Sequence, residues 1–221
     1  MKRAGVQRAA LGWSVHTGWA VLVAVSGPAA SATVVDRRRI EMMPQRDVKL
    51  PRFVYHAAQK MTPAAAERFV REANELSWTN AKAAIRTAIG ELRANGFEIA
   101  ASGIVVGNKR LEAPLAAILE SHALIHTAEG QLFRDAVRRA SEALKLPVTE
   151  VGAKELEARA AAQLRLSNVA LAQQLARIGA AAGRPWSKDH RQACLAALMA
   201  LSSTPTAAGA ADRRDRSASR S

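Results

Sequence analysis

Three side chains capable of acid–base or metal chemistry fall on one side of a helical segment: His122, His126 and Glu129. At roughly 100° per residue, with His122 set at 0°, His126 falls near 40°, Glu129 near −20° and Phe133 near 20°. Leu115, Ile118 and Leu119 extend the stripe backward, and Ala136 and Val137 extend it forward. A polar triad inside an apolar face is expected to pack on a sheet with little solvent access. Burying two imidazoles and a carboxylate is costly unless they pair. The partners open to them are one another, the backbone, Tyr55 or His56, and a metal ion. Histidines at i and i+4 with an acid at i+7 suit a borderline divalent metal held from one helix face. The metalloprotease pattern is excluded, because Ala123 follows His122 and no glutamate separates the two histidines. Three readings stand: a hydrogen-bonded structural cluster, a metal site, or a catalytic acid–base group, since histidine titrates near neutrality. His16 joins the candidates if this helix packs over its strand, making His16, His122, His126 and Glu129 one catalytic set. The sequence specifies neither a metal nor a cofactor.

Other reactive residue types read as structural. The single cysteine, Cys194, lies among Ala193, Leu195 and Ala196, as a buried inert thiol would. One cysteine also rules out an intrachain disulfide and a cysteine-rich zinc site. Gly103 and Gly107 form no phosphate loop, because no Lys-Ser/Thr follows them. Trp13 and Trp19 read as packing residues. Asp36 and Glu41 flank Arg37-Arg38-Arg39 and partly neutralise it.

The elements that must position these residues alternate along the chain. A first strand is expected from about Gly12 to Val25 and a second from about Thr33 to Met43, joined through Gly27-Pro28 as a hairpin. Pro44 and Pro51 punctuate the next stretch, and Arg52 to His56 reads as a short third strand. Thr62-Pro63 opens a helix that runs to about Ala94, with a break expected near Ser77 to Asn80 and an end at Asn95-Gly96. Phe97 to Val106 is a buried strand followed by a loop at Gly107 to Arg110. A helix from Pro114 to about Leu144, a strand at Pro147 to Val151, helices at Lys154–Leu164 and Val169–Ile178, and a last helix capped by Ser187 complete the order. The expected architecture is α/β: β-β-β-α-β-α-β-α-α, a mixed sheet of about five strands flanked by helices. Residues 1–10 are expected as a basic segment, 11–201 as one domain, and 202–221 as a disordered Arg/Ser/Ala-rich tail.

The formal net charge is +13, from 32 Lys+Arg against 19 Asp+Glu. Such a surplus permits binding to nucleic acid or an anionic membrane through phosphate attraction, and nucleic acid is the partner carried forward. Met1 to Ala32 carries features of a secretory signal: a basic start, an apolar run from Trp19 to Val25, and Ala30-Ser31-Ala32. Alternate β-branched Val21, Val23 and Val25 favour a strand instead, and with it a cytoplasmic rather than secreted protein. No stretch has the ~20 uninterrupted apolar residues of a membrane helix.

The order of elements resembles the ribonuclease H-like superfamily, in particular its Holliday-junction resolvase branch. The residues carrying the resemblance are Thr17-Gly18-Trp19-Ala20-Val21, the strand ending Ala101 to Val106, and Arg191 to Leu198 on the last helix. Ser121 to Gly130 also resembles a bacterial family of this fold to which no activity is attached. The resemblance implies an Asp on strand one, a Glu ending the fourth strand and an Asp on the last helix. Together these hold two magnesium ions for phosphodiester cleavage. Here strand one offers His16 and no Asp, the fourth strand runs into Gly107-Asn108, and the last helix has Gln192, with Asp189 three residues earlier. The expectation is therefore a protein of this fold lacking two-metal nuclease catalysis, with a nucleic-acid binding or scaffolding role. The alternative expectation is an enzyme using His16, His122, His126 and Glu129 for acid–base or metal-dependent chemistry.

Overall fold

In the computed structural model, residues 5–43, 50–107 and 110–204 are described. The β-branched and small apolar residues near the start of the chain form two strands, β1 (Gln7–His16) and β2 (Trp19–Ser26), where the sequence predicts one. They pair antiparallel with His16 opposite Trp19, so Thr17-Gly18 makes a two-residue turn. Gly18 has φ +85°, a conformation that glycine adopts without a Cβ penalty. The polar break at His16 to Gly18 is therefore a reversal of the chain. β2 then pairs antiparallel with β3 (Thr33–Glu41), as the Gly27-Pro28 signal predicts.

The third strand expected at Arg52 to His56 is instead a short helix, α1 (Val54–Ala58). Its buried residues are Val54 and Ala58, four apart, so the apolar period is helical and not alternate. The next helix, α2 (Pro63–Ala94), is continuous through Ser77 to Asn80. Ser77 donates its hydroxyl to the Ala73 carbonyl at 2.7 Å, which satisfies that buried group without breaking the helix. Ala66, Val70, Ala73, Ser77, Ala81, Ile85, Ala88 and Leu92 carry its buried stripe at spacings of three and four. Asn95-Gly96 ends it as predicted, with Gly96 at φ +84°.

β4 (Phe97–Val106) follows, then α3 (Leu115–Glu120), α4 (His122–Ala143), β5 (Val148–Gly152), α5 (Leu156–Leu164), α6 (Asn168–Ala182) and α7 (Lys188–Ser203). The helix predicted from Pro114 is two helices, because Ser121 is extended and caps α4 by accepting from the Leu124 N–H. The sheet order is β3-β2-β1-β4-β5, with β1/β4 and β4/β5 parallel. The fifth strand that completes the predicted count comes from splitting the first, not from Arg52 to His56.

The sheet separates two cores. Leu11, Trp13, Leu22 and Ile104 pack beneath α2 and α4, while Val21, Val23, Val25 and Val105 pack beneath α5, α6 and α7. Residues 7–10, expected in a basic segment, lie in β1, where Arg8 donates to the Thr204 carbonyl at 3.3 Å. Ser202 and Ser203, expected in a tail, end α7. Residues 1–4, Pro44, Asn108, Lys109 and the remainder of the tail lie outside the described residues. Among the described residues, no helix is long and apolar enough to cross a membrane.

Helix α7 lies directly on the backbone of the sheet at Gly12 and Gly103, which are register partners on β1 and β4. A Cβ at Gly12 would overlap the Ala193 carbonyl oxygen and lie 2.7 Å from the Ala197 nitrogen. A Cβ at Gly103 would overlap the Ala196 carbonyl oxygen. Both obstacles are helix backbone, which cannot step aside as a side chain does. Gly12→Val and Gly103→Val are each expected to lower unfolding free energy by about 3 kcal/mol or more in urea titrations. Wild-type stability in either variant would show that α7 does not rest on the sheet at this point.

Candidate functional site

The alternation of β1 decides which residues meet. Leu11 and Trp13 point into the α2/α4 core. Gly12, Ser14 and His16 therefore point to the α7 side. There, Ser187 opens α7, its backbone N–H donating to His190 Nδ1 at 3.2 Å, and Asp189 occupies the first turn. Free N–H groups and the helix dipole favour a carboxylate in that turn. The Ser14 hydroxyl donates to Asp189 Oδ1 at 3.1 Å, and His16 Nε2 lies 2.9 Å from the same oxygen. The Gln192 amide oxygen is 3.5 Å from the Ser14 hydroxyl. His16 also stacks on Trp19, with ring centroids 4.1 Å apart and 8° between planes. On β4 the register partner of Ser14 is Val105, a buried apolar residue.

Among the described residues, this cluster holds one carboxylate, a serine, an imidazole and an amide. Hard divalent ions prefer several carboxylate oxygens, and here one oxygen of the single carboxylate is already shared by two neighbours. Ser14 is not apparent as a site residue in the sequence. The signal that locates it is its place two residues before His16 on the same strand face.

The histidine stripe lies across the sheet. Glu129 is 2% exposed, and Phe133, Ala136 and Val137 follow it into the core as predicted. His122 and His126 are exposed, contrary to the expectation that they face the sheet. The break at Ser121 removes α3 from the stripe, and in the first turns of α4 it is Ile125 and Ala128 that are buried, with Ile118 of α3. The apolar face is rotated there, which leaves both histidines at its solvent margin. His16, on the α7 side, does not join them, so the four predicted residues divide between two faces of the sheet.

His56, read as strand, takes the place expected for His16. Its Nδ1 lies 2.8 Å from Glu129 Oε1, and its backbone N–H reaches the same oxygen at 3.3 Å. His126 Nε2 and His122 Nε2 are 3.0 Å apart. One nitrogen each from His56, His122 and His126 lies within 4.8 Å of the others. His56 precedes His122 by dozens of residues, so no local spacing could have joined them. Tyr55 beside this group has its phenol raised above the ordinary range, by burial first and then by the charges of Asp135 and Glu129.

The remaining candidates are structural in placement. Cys194 is buried and burial pushes its thiol up to about 12, so it is not a thiolate near neutrality. Arg37 donates to the carbonyls of Gly183, Arg184 and Pro185. Arg38 pairs with Asp36 and Glu91, each at 2.7 Å, and Arg39 pairs with Glu41 and covers Trp19. The arginine run thus fastens the edge strand β3 to its surroundings.

No family model matches the chain, and no curated protein matches it. Among solved structures, Thermus thermophilus RuvC in complex with a Holliday junction substrate is similar, at TM-score 0.50 and 14% identity. That match covers 87% of this chain and 91% of the other. A second Thermus thermophilus RuvC structure matches at TM-score 0.50 and 14% identity, covering 86% and 92%. The protein therefore has a ribonuclease H-like fold. Its mixed five-stranded sheet and flanking helices have that fold, as the resemblance implied.

Asp189→Ala is expected to lower stability by about 1–2 kcal/mol, because it leaves the buried Ser14 hydroxyl only the longer 3.5 Å contact to Gln192 and releases His16. Chemical denaturation measures this, and an unchanged midpoint would show that the Asp189 contacts are not formed in solution.

Proposed function

We propose that the protein binds nucleic acid as a ribonuclease H-fold scaffold and does not cleave it by two-metal catalysis. The observation that carries this reading is the β1–α7 cluster. Among the described residues, where the resemblance to resolvases calls for carboxylates, Ser14, His16 and Gln192 surround Asp189, and the fourth strand runs into Gly107. One carboxylate bound to a hydroxyl and an imidazole cannot replace the oxygen ligands of two magnesium ions. The net charge of +13 supplies the sequence-independent attraction to phosphates. The similar RuvC structure holds a Holliday junction, and a junction is accordingly the first substrate to test.

The test is fluorescence anisotropy with a labelled four-way junction, a duplex and an RNA–DNA hybrid, followed by incubation with magnesium or manganese. Binding is expected at low salt. Affinity should fall about 100-fold between roughly 50 and 200 mM salt if about four phosphates are contacted. No cleavage is expected with either metal. Magnesium-dependent cleavage that disappears in Asp189→Ala would overturn the catalytic half of the proposal. Absence of binding at low salt would overturn the other half.

A further inference from the structure

The geometry points to a zinc-class metal site formed by His56, His122 and His126, with Glu129 orienting His56 from beneath. The site stands apart from the β1–α7 cluster and does not depend on the nucleic-acid reading. One nitrogen from each of the three imidazoles lies within 4.8 Å of the other two. Ring centroids are 5.5 Å apart for His56–His122, 4.9 Å for His56–His126 and 4.4 Å for His122–His126. Two nitrogens bound to one tetrahedral zinc at about 2.0–2.1 Å stand about 3.3 Å apart. The two Nε2 atoms of His122 and His126 are 3.0 Å apart, close to that spacing. Without a cation the same contact needs one ring to donate and the other to accept. Both rings are exposed, so water would serve each of them as well.

The buried carboxylate is the second observation. Glu129 is 2% exposed and is held by the backbone N–H and Nδ1 of His56. A histidine ligand typically gives one ring nitrogen to the metal and the other to a carboxylate, which sets its tautomer and strengthens its basicity. With Nδ1 held by Glu129, His56 presents Nε2 as the free donor. Three neutral imidazoles suit zinc and its neighbours rather than magnesium or calcium, which take oxygen. The exposed side of the trio leaves a fourth position to solvent, the pattern of an open rather than a closed zinc site.

The test uses the full, untagged chain stripped of metal and titrated with zinc against a chromophoric chelator. Cobalt serves as the spectroscopic probe. One zinc per chain is expected, together with the visible bands of tetrahedral cobalt and a higher melting temperature on loading. His122→Ala and His126→Ala should each abolish stoichiometric binding while circular dichroism stays unchanged, because both side chains are exposed. Glu129→Gln should keep the stoichiometry and weaken affinity about 10–100-fold. No zinc binding to the wild-type chain, or binding that survives both histidine substitutions, would overturn the site. An unchanged affinity in Glu129→Gln would overturn the orienting role.

Discussion

The close approach of α7 to the bare backbone at Gly12 and Gly103 is the constraint on which the rest of the molecule depends. The helix presents Ala193, Ala196 and Ala197 to two glycines, so backbone meets backbone with no side chain between. Interiors are packed to crystal-like density, and such a contact admits no added methyl group. The axis of α7 is thereby set over β1 and β4. Its first turn then falls beside the end of β1, where Asp189 meets Ser14 and His16. Cys194, Leu195 and Leu198 complete the core beneath α5 and α6.

Buried Trp78 Nε1 and Trp186 Nε1 have no hydrogen-bond partner among the described residues, but the polar groups between β1, β4 and α4 are tied to one another. Trp13 Nε1 donates to the Ser102 hydroxyl at 3.0 Å, and Ser141 of α4 donates to the same oxygen at 3.0 Å. This chain of bonds ties β1, β4 and α4 through atoms that would be costly to bury alone. It lies on the opposite face from Asp189, so α4 and α7 are each anchored to β1 and β4 by their own contacts. The sheet acts as a partition, with Asp189 on one face and Glu129 on the other.

That partition separates two kinds of polar cluster. The α7 side has a carboxylate in a helix first turn, with a hydroxyl and an imidazole sharing one of its oxygens. The α4 side has a carboxylate beneath imidazoles, where the donor atoms are nitrogen. The first is poor in oxygen ligands, and the second collects nitrogen ligands at the solvent margin.

Much of the fold is legible in the sequence. The α/β class, the long helix closed by Asn95-Gly96 and the buried strand ending at Val106 rest on local signals, while the ribonuclease H-like fold is expected from a resemblance. Apolar period, cap residues and glycine turns act within a few residues of one another, and the chain expresses them directly. The same local signals suggest a strand at Arg52 to His56 and join β1 to β2, because short apolar runs of either period look alike. The site is legible in part. The burial of Glu129 can be read from its stripe, since Phe133 and Val137 continue it. The exposure of His122 and His126, the pairing of His56 with Glu129, and the assignment of His16 to the opposite face are decided only in three dimensions. Each depends on where one element stops against another: Ser121 ends α3, Gly18 reverses the chain, and α7 settles on two glycines. Contacts between residues far apart in sequence have no periodicity to betray them, and only the packing of helices on the two sides of the sheet determines which imidazole meets which carboxylate.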